Sequence, residues 1–461
     1  MMNYLFRTAG LLLLLSLLAT TNADAQTNLT EPPARDMRLY DIAEAPSADR
    51  LESDIRELAG FGTRNTLSDT TSSTRGIGAA RRWIKAEFDK ISEECGGCLE
   101  VRYQRTLVEA GVSERIPTDT WIVNVIATQK GTKHPNRHII MSGDIDSRAS
   151  DVTNATIDAP GANDNATGMA GAIEAARVLT QYEFDNTIVY AGLSGEEQGL
   201  FGGKHMAEMA KEEEWEIIGV LNNDMIGNIQ GIDGVIDNTV FRVFSEPTDV
   251  TETDRERRMR RFTGGEVDGP SRQLARYVDR MTDLYITNLD AMMIYRLDRF
   301  GRGGHHRPFN DLGFTGVRIM EAHENYRQQH QDIRTEDGIE YGDVIEHVNF
   351  DFAAKLTGVN TVTMAGLAWA PPEPDNVRIG GAVQASTTLA WDPVEDEDLA
   401  GYKIYWRKTT APQWQKSRFV GKVTKFTLEN IIIDNYFFGV ASVDKDGNES
   451  VVVFPGGFLR N

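Results

Sequence analysis

Apolar residues recur along this chain first with a helical period and then in short unbroken runs. In "SADRLESDIREL", residues 47–58, Leu51, Ile55 and Leu58 share one face, with Ser47 placed to cap the start and Gly60 to stop the helix. "IGAARRWIKAEFDKI" repeats the pattern with Ile77, Trp83, Phe88 and Ile91 as anchors. Strand-like runs follow at residues 99–103, 121–127 and 139–141. Helix and strand then alternate. "NATGMAGAIEAARVLTQY" and "GLFGGKHMAEMAKE" read as helices, and "NTIVYAGLSG" and "IIGVLNNDMIG" as strands. The strands are apolar without alternation, so both of their faces should be buried. That predicts an α/β fold with a mixed, mostly parallel sheet and helices on both faces. Residues 26–45, with Pro32-Pro33, read as a loose leader, and residues 231–262, with "TETDRERRMRR", as an excursion from the core. A helix at 270–283 and a strand at 316–320 resume the layered pattern.

The pattern changes at Pro371-Pro372. Short alternating runs such as "TTLAWDPV", "GYKIYWRKT" and "KFTLENI" predict a small C-terminal β-sandwich over residues 371–461. Trp391 and "YFFGVASVDKDGNES" make it resemble a fibronectin type III module, which more often spaces or anchors than catalyses.

With 461 residues, two or three folding units are expected. A net charge of −21 argues against nucleic acid or an anionic membrane surface as partner. At the N-terminus, Arg7 precedes an apolar run from Ala9 to Ala19, followed by Ala23-Asp24-Ala25 before Gln26. This is the layout of a signal peptide over residues 1–25, too short in its apolar part to span a bilayer, and it predicts a secreted or periplasmic protein. No later segment is apolar enough to cross a membrane. The two cysteines, Cys95 and Cys98, could form a redox C-x-x-C or half of a zinc site, but no second pair exists. In an oxidising compartment a local disulfide between them is expected.

The candidate chemistry lies at strand ends, where an open α/β sheet gathers its ligands. "HIIMSGDIDSR" ends in Asp144 and Asp146, "APGANDNATG" carries Asp164, "LSGEEQGL" carries Glu196 and Glu197, and "VLNND" ends in Asp224. "VRIMEAHENYRQQHQD" leads to His323 and His330. One such acid is routine as a helix cap. An adjacent glutamate pair and four acidic sites on one edge are not, because converging carboxylates repel unless a cation or a proton lies between them. A histidine among them points to zinc or a similar ion.

Over residues 46–370, "APGANDNATG", "SGEEQGLFG" and "LNNDMIG" resemble, in order and spacing, the M28 metallopeptidases, which include secreted bacterial zinc aminopeptidases. The resemblance implies a zinc-aminopeptidase-like domain over residues 26–370 that cleaves N-terminal peptide bonds of peptide or protein substrates. It implies two divalent ions bridged by Asp164, with Asp224 on the first ion, Glu197 and His330 on the second, and Glu196 as general base. Asp146 would hold the preceding ligand in place, and a cis peptide would follow Asp164.

The chain departs from the family pattern in one respect. Where the family has H-x-D, this sequence reads Asp144-Ile145-Asp146, so the first ion would see Asp144, Asp164 and Asp224 alone. An all-oxygen set suits Mn, Co or Mg better than Zn. His305, in "RGGHHRPF", is a candidate substitute ligand or a rim residue. Two other readings stay open. One is a binding protein on a degenerate peptidase fold, which the intact Glu196 disfavours. The other is a single-metal cyclotransferase-like enzyme.

Overall fold

The computed structural model describes residues 31–459. The signal-peptide expectation falls outside them. The first helices are α1 (Arg38–Glu44), α2 (Ala48–Gly60) and α3 (Gly76–Glu94). Strands β1 (Leu99–Val108), β2 (Thr120–Gln129) and β3 (His134–Asp144) follow. Next come α4 (Gly168–Leu179), β4 (Asn186–Leu193), α5 (Phe201–Glu212) and β5 (Glu216–Asn223). Beyond these lie β6 (Val240–Phe244), α6 (Asp254–Thr263), α7 (Pro270–Tyr285), β7 (Asp290–Ile294), α8 (His306–Asp311) and β8 (Gly316–Glu321). A short hairpin, β9 (Arg334–Glu336) and β10 (Ile339–Tyr341), precedes the long α9 (Phe350–Trp369).

Strands β1 to β8 form one eight-stranded sheet in the order β1-β2-β4-β3-β5-β8-β6-β7. Its centre, β4-β3-β5-β8, is parallel, and antiparallel pairings lie on either side. The expected two-sided burial is present. On β3, Ile139 and Met141 enter the larger core under α2, α3, α4 and α9, while Ile140 enters a second core with Met206, Ala207 and Phe309 on the α5 and α8 side. The parallel centre carries all its carboxyl ends to one edge, where Asp144 pairs in register with Leu193, and Gly143 with Asn223. At that edge a Cβ on Gly143 would lie 2.4 Å from the carbonyl carbon of Gly168. The missing side chain lets the start of α4 close onto the strand end.

Three segments differ from the sequence reading. The leader is not loose throughout: α1 buries Leu39, Ile42 and Ala43, and the Thr361 hydroxyl on α9 donates to the Ile42 carbonyl at 3.3 Å. The segment 231–262 is only partly an excursion. Its strand β6 sits inside the main sheet between β8 and β7, whereas α6 buries no residue. Helix α9 is apolar all round and buried along nearly its whole length, so it shows no amphipathic stripe to detect.

The C-terminal strands are β11 (Arg378–Gly380), β12 (Thr387–Ala390), β13 (Leu399–Lys408), β14 (Lys416–Gly421), β15 (Lys425–Leu428), β16 (Tyr436–Asp444) and β17 (Gly457–Phe458). They form two sheets, β15-β12-β11-β17 and β14-β13-β16, around Leu389, Trp391, Tyr402, Ile404, Phe438 and Val440. Buried charge ties this unit to the first. The Asp268 carboxylate accepts from Arg276 at 2.8 Å and from Arg407 at 2.8 Å, and Glu449 accepts from Arg280 at 2.7 Å and Lys403 at 2.9 Å. Cys95 and Cys98 form a disulfide just after α3. No helix among the described residues is long and apolar enough to cross a membrane.

Candidate metal centre

Three residues from separate loops meet at the sheet edge. His330 Nε2 lies 3.0 Å from Asp164 Oδ2 and 3.2 Å from Glu197 Oε1. Each of the three offers a ligand atom within 4.8 Å of the others. Burial alone would lower the imidazole pKa, but the two carboxylates outweigh it and hold it up at about 10. Burial alone would raise Asp164, but the hydrogen bond and charge of His330 hold it below the usual aspartate range. The two carboxylates thus favour positive charge at this point, as they would favour a cation. Two carboxylates and one imidazole are a donor set that zinc accepts, so the residues fit a divalent ion.

The loop bearing Asp164 is held from several sides. Asp343 accepts from the backbone N–H of Asn163 at 2.8 Å and of Asp164 at 2.7 Å. Glu321, at the end of β8, accepts from the Asn163 amide at 2.9 Å and from the Asn228 N–H at 2.9 Å. Arg64 is fully buried and donates to the carbonyls of Gly161 and Ile145 at 2.9 Å each. The peptide between Asp164 and Asn165 is cis. The Asn165 amide donates to Asp144 Oδ2 and to the Asn223 carbonyl, both at 2.7 Å. These contacts bind the loop to the ends of β3 and β5, so Asp164 has little freedom to drift.

Glu196 and Glu197 open the turn after β4. Asp146 accepts from the Glu196 N–H at 3.3 Å, the Glu197 N–H at 3.1 Å and the Thr66 hydroxyl at 3.0 Å. Its contacts are therefore with the glutamate turn rather than with Asp144. Burial, then Glu197, Asp224 and Asp164, push the Glu196 carboxyl well up, which suits a group that must take and return a proton.

The set expected for a first ion is arranged differently. Asp224 Oδ2 lies 2.7 Å from Arg318 Nη2, and Arg318 Nη1 donates to Asp298 Oδ1 at 3.0 Å and to the Gly303 carbonyl at 3.1 Å. Asp144 spends Oδ2 on Asn165, and its Oδ1 lies 3.6 Å from His305 Nε2. His305 Nδ1 accepts from the Gly203 N–H at 3.2 Å, which puts the ring proton on Nε2, facing Asp144. With its lone pair committed to the Gly203 N–H, the ring has none to give a metal at Nε2 while that hydrogen bond stands, so the structure does not set His305 up as the substitute imidazole. Among the described residues Asp144, Asp164 and Asp224 do not bring ligand atoms within 4.8 Å of one another, and Arg318 already lies against Asp224, so as arranged they form no three-oxygen ion site, although Asp144 Oδ1 and Asp224 Oδ1 are buried without a hydrogen-bond partner. His323 stands apart, 3.9 Å from Asp237.

Asp298, Asp343, Arg64 and Arg318 were absent from the sequence reading. Only Arg318 left a signal, a lone charge inside the otherwise apolar strand "GVRIM". In front of the glutamates lies a cleft of about 480 Å³ lined by Arg115, Arg148, Lys204, Arg302 and Arg307, with His330 at its inner side. Glu196, Glu197 and Asp311 line the same opening, with Asp311 3.8 Å from Arg307, so the five basic side chains leave a small positive excess on a chain of net charge −21.

A model of peptidase family M28 matches residues 124–351. A probable zinc metalloprotease of Pyrenophora tritici-repentis is 41% identical over 428 residues, covering 92% of this chain and 88% of the relative. One from Pyricularia oryzae is 38% identical over 442 residues, covering 92% and 88%. Both are fungal, whereas the sequence resemblance was to bacterial enzymes. Among solved structures, the Legionella pneumophila LapA aminopeptidase superposes with a TM-score of 0.52 at 17% identity, covering 75% of this chain and 78% of that one. This last likeness concerns the fold.

Proposed function

The chain belongs to peptidase family M28, and from that premise we propose that it is a zinc-dependent exopeptidase acting on N-terminal peptide bonds. The observation that carries this reading is the meeting of Asp164, Glu197 and His330 beside Glu196 at the carboxyl edge of the parallel strands. Those three residues would hold one ion, which supplies Lewis acidity at the scissile carbonyl and a lowered pKa for the attacking water. Glu196 receives the proton of the attacking water on its carboxylate and returns it to the leaving amine. Asp146 fixes the turn that carries Glu196 and Glu197, so both glutamates are placed before substrate arrives.

The basic rim narrows the substrate. Arg302 and Arg307 are exposed at the cleft mouth, and a peptide that carries an acidic side chain or a nearby carboxylate would be drawn there. The C-terminal sheets, joined to the first unit through Asp268 and Glu449, are proposed to be a fibronectin type III-like module that stays docked during turnover. Residues 1–25 are proposed to direct export, so mass spectrometry of the mature protein should find Gln26 at its N-terminus.

The test uses full-length mature protein and aminoacyl chromogenic substrates, before and after chelation and zinc add-back. Activity should follow zinc, and Glu196→Gln should lower kcat by about 10²–10⁴-fold with bound zinc unchanged. Absence of hydrolysis from folded, zinc-loaded protein would refute the reading. So would a Glu196→Gln variant with full activity.

A further inference from the structure

One of the carboxylates expected to hold a first ion, Asp224, already faces a cation. Arg318 projects from the parallel strand β8 into this cluster and is fully buried. Its Nη2 faces Asp224 Oδ2 at 2.7 Å, and its Nη1 takes both oxygens of Asp298, at 3.0 and 3.1 Å, with the Gly303 carbonyl at 3.1 Å. Asp144, which stands where an imidazole was expected, has Oδ2 bound to Asn165 and Oδ1 turned to the His305 ring.

We propose that this protein is a one-metal enzyme in which the Arg318 guanidinium permanently occupies the position expected of a first ion. The inference rests on the proposed metal centre at Asp164, Glu197 and His330.

Three physical reasons support the exchange. A guanidinium cannot be deprotonated in a protein, so its positive charge is lost neither to burial nor to pH. A divalent ion that bound Asp224 would compete for the same carboxylate and meet a like charge a few ångströms away. Arg318 is fully buried and held from two segments, by Asp224 after β5 and by Asp298 and Gly303 in the loop before α8. A charged, fixed group beside Asp224 does there part of the neutralising work that an ion would do. Buried as it is, Arg318 does not line the cleft. Its role is to compensate charge and hold Asp224 in place.

The test counts zinc. The mature protein is stripped, saturated with zinc, freed of excess by gel filtration and analysed for metal per chain. One equivalent in the wild type and none in His330→Ala is the expected result. Two equivalents in the wild type would overturn the proposal and leave the metal centre standing. No zinc at saturation would overturn both. Arg318→Lys should keep one equivalent, since the charge remains. Arg318→Gln combined with Asp144→His removes the cation and restores the imidazole, and should raise the count towards two. A folded double variant, checked by circular dichroism, that still binds one zinc would contradict the exchange.

Discussion

Replacing Asp146 with asparagine changes one oxygen to an amide at a site where three donors meet. The carboxylate accepts from the Glu196 N–H on Oδ1, and from the Glu197 N–H and Thr66 hydroxyl on Oδ2. Asparagine has one oxygen, so in either orientation one backbone N–H faces a second donor. Thr66 can rotate its hydroxyl to accept, but the N–H groups cannot reverse. A hydrogen bond to a charged group contributes about 1.5–3 kcal/mol, and leaving a buried donor unpaired costs roughly 1–3 kcal/mol. Some of this is recovered if the turn moves, so a net loss of about 2–4 kcal/mol in positioning the turn is expected. The turn carries the proposed base and a proposed ligand. A displacement near 1 Å costs about 10²-fold in rate, and loss of a group that orients a ligand weakens metal by about 10–100-fold. Asp146→Asn should therefore lower kcat on an aminoacyl chromogenic substrate about 100-fold and weaken zinc measurably in a chelator competition. Glu196→Gln should lose rate alone. If Asp146→Asn stays within threefold of wild type in both rate and zinc affinity, the positioning role is wrong.

Three other perturbations test separate parts of the structure. Asp268→Ala strands the buried guanidiniums of Arg276 and Arg407 at the junction of the two units, and urea unfolding should show a loss of about 3–5 kcal/mol; an unchanged midpoint would mean the units are not held this way. Glu246 is buried near Asp249 and Asp311, and burial first, then those charges, lifts its pKa from 4.5 to about 8. Because the folded form keeps the proton more readily, this stabilisation is present below about pH 4.5 and is lost as pH rises through about 8, so Glu246→Gln should narrow the gap in Tm between pH 5 and pH 8. Arg302→Ala should raise KM about threefold for peptides carrying an acidic residue, as removal of an exposed charge pair of about 0.5–1 kcal/mol implies, and leave neutral substrates unchanged.

Helices α2 and α3 and the central strands were legible because their signals are local. A 3.6-residue period or an unbroken apolar run needs no partner to be recognised. Helix α9 was missed because burial on every side erases its period, and β6 because five residues, two of them turned away from the core, carry little pattern of their own. The acids at the strand ends could be read as a group, since parallel topology brings carboxyl ends together whatever the details of packing.

Composition and periodicity thus determined the layered fold, the edge where chemistry collects and the residue types gathered there. The tertiary structure decided which acids meet, that Asp146 holds the glutamate turn, and that Arg318 lies against Asp224. Those outcomes depend on charge compensation over a few ångströms in a poorly polarisable interior. There, one guanidinium from a strand far along the chain lies against Asp224 and places a positive charge whose partner no local pattern announces.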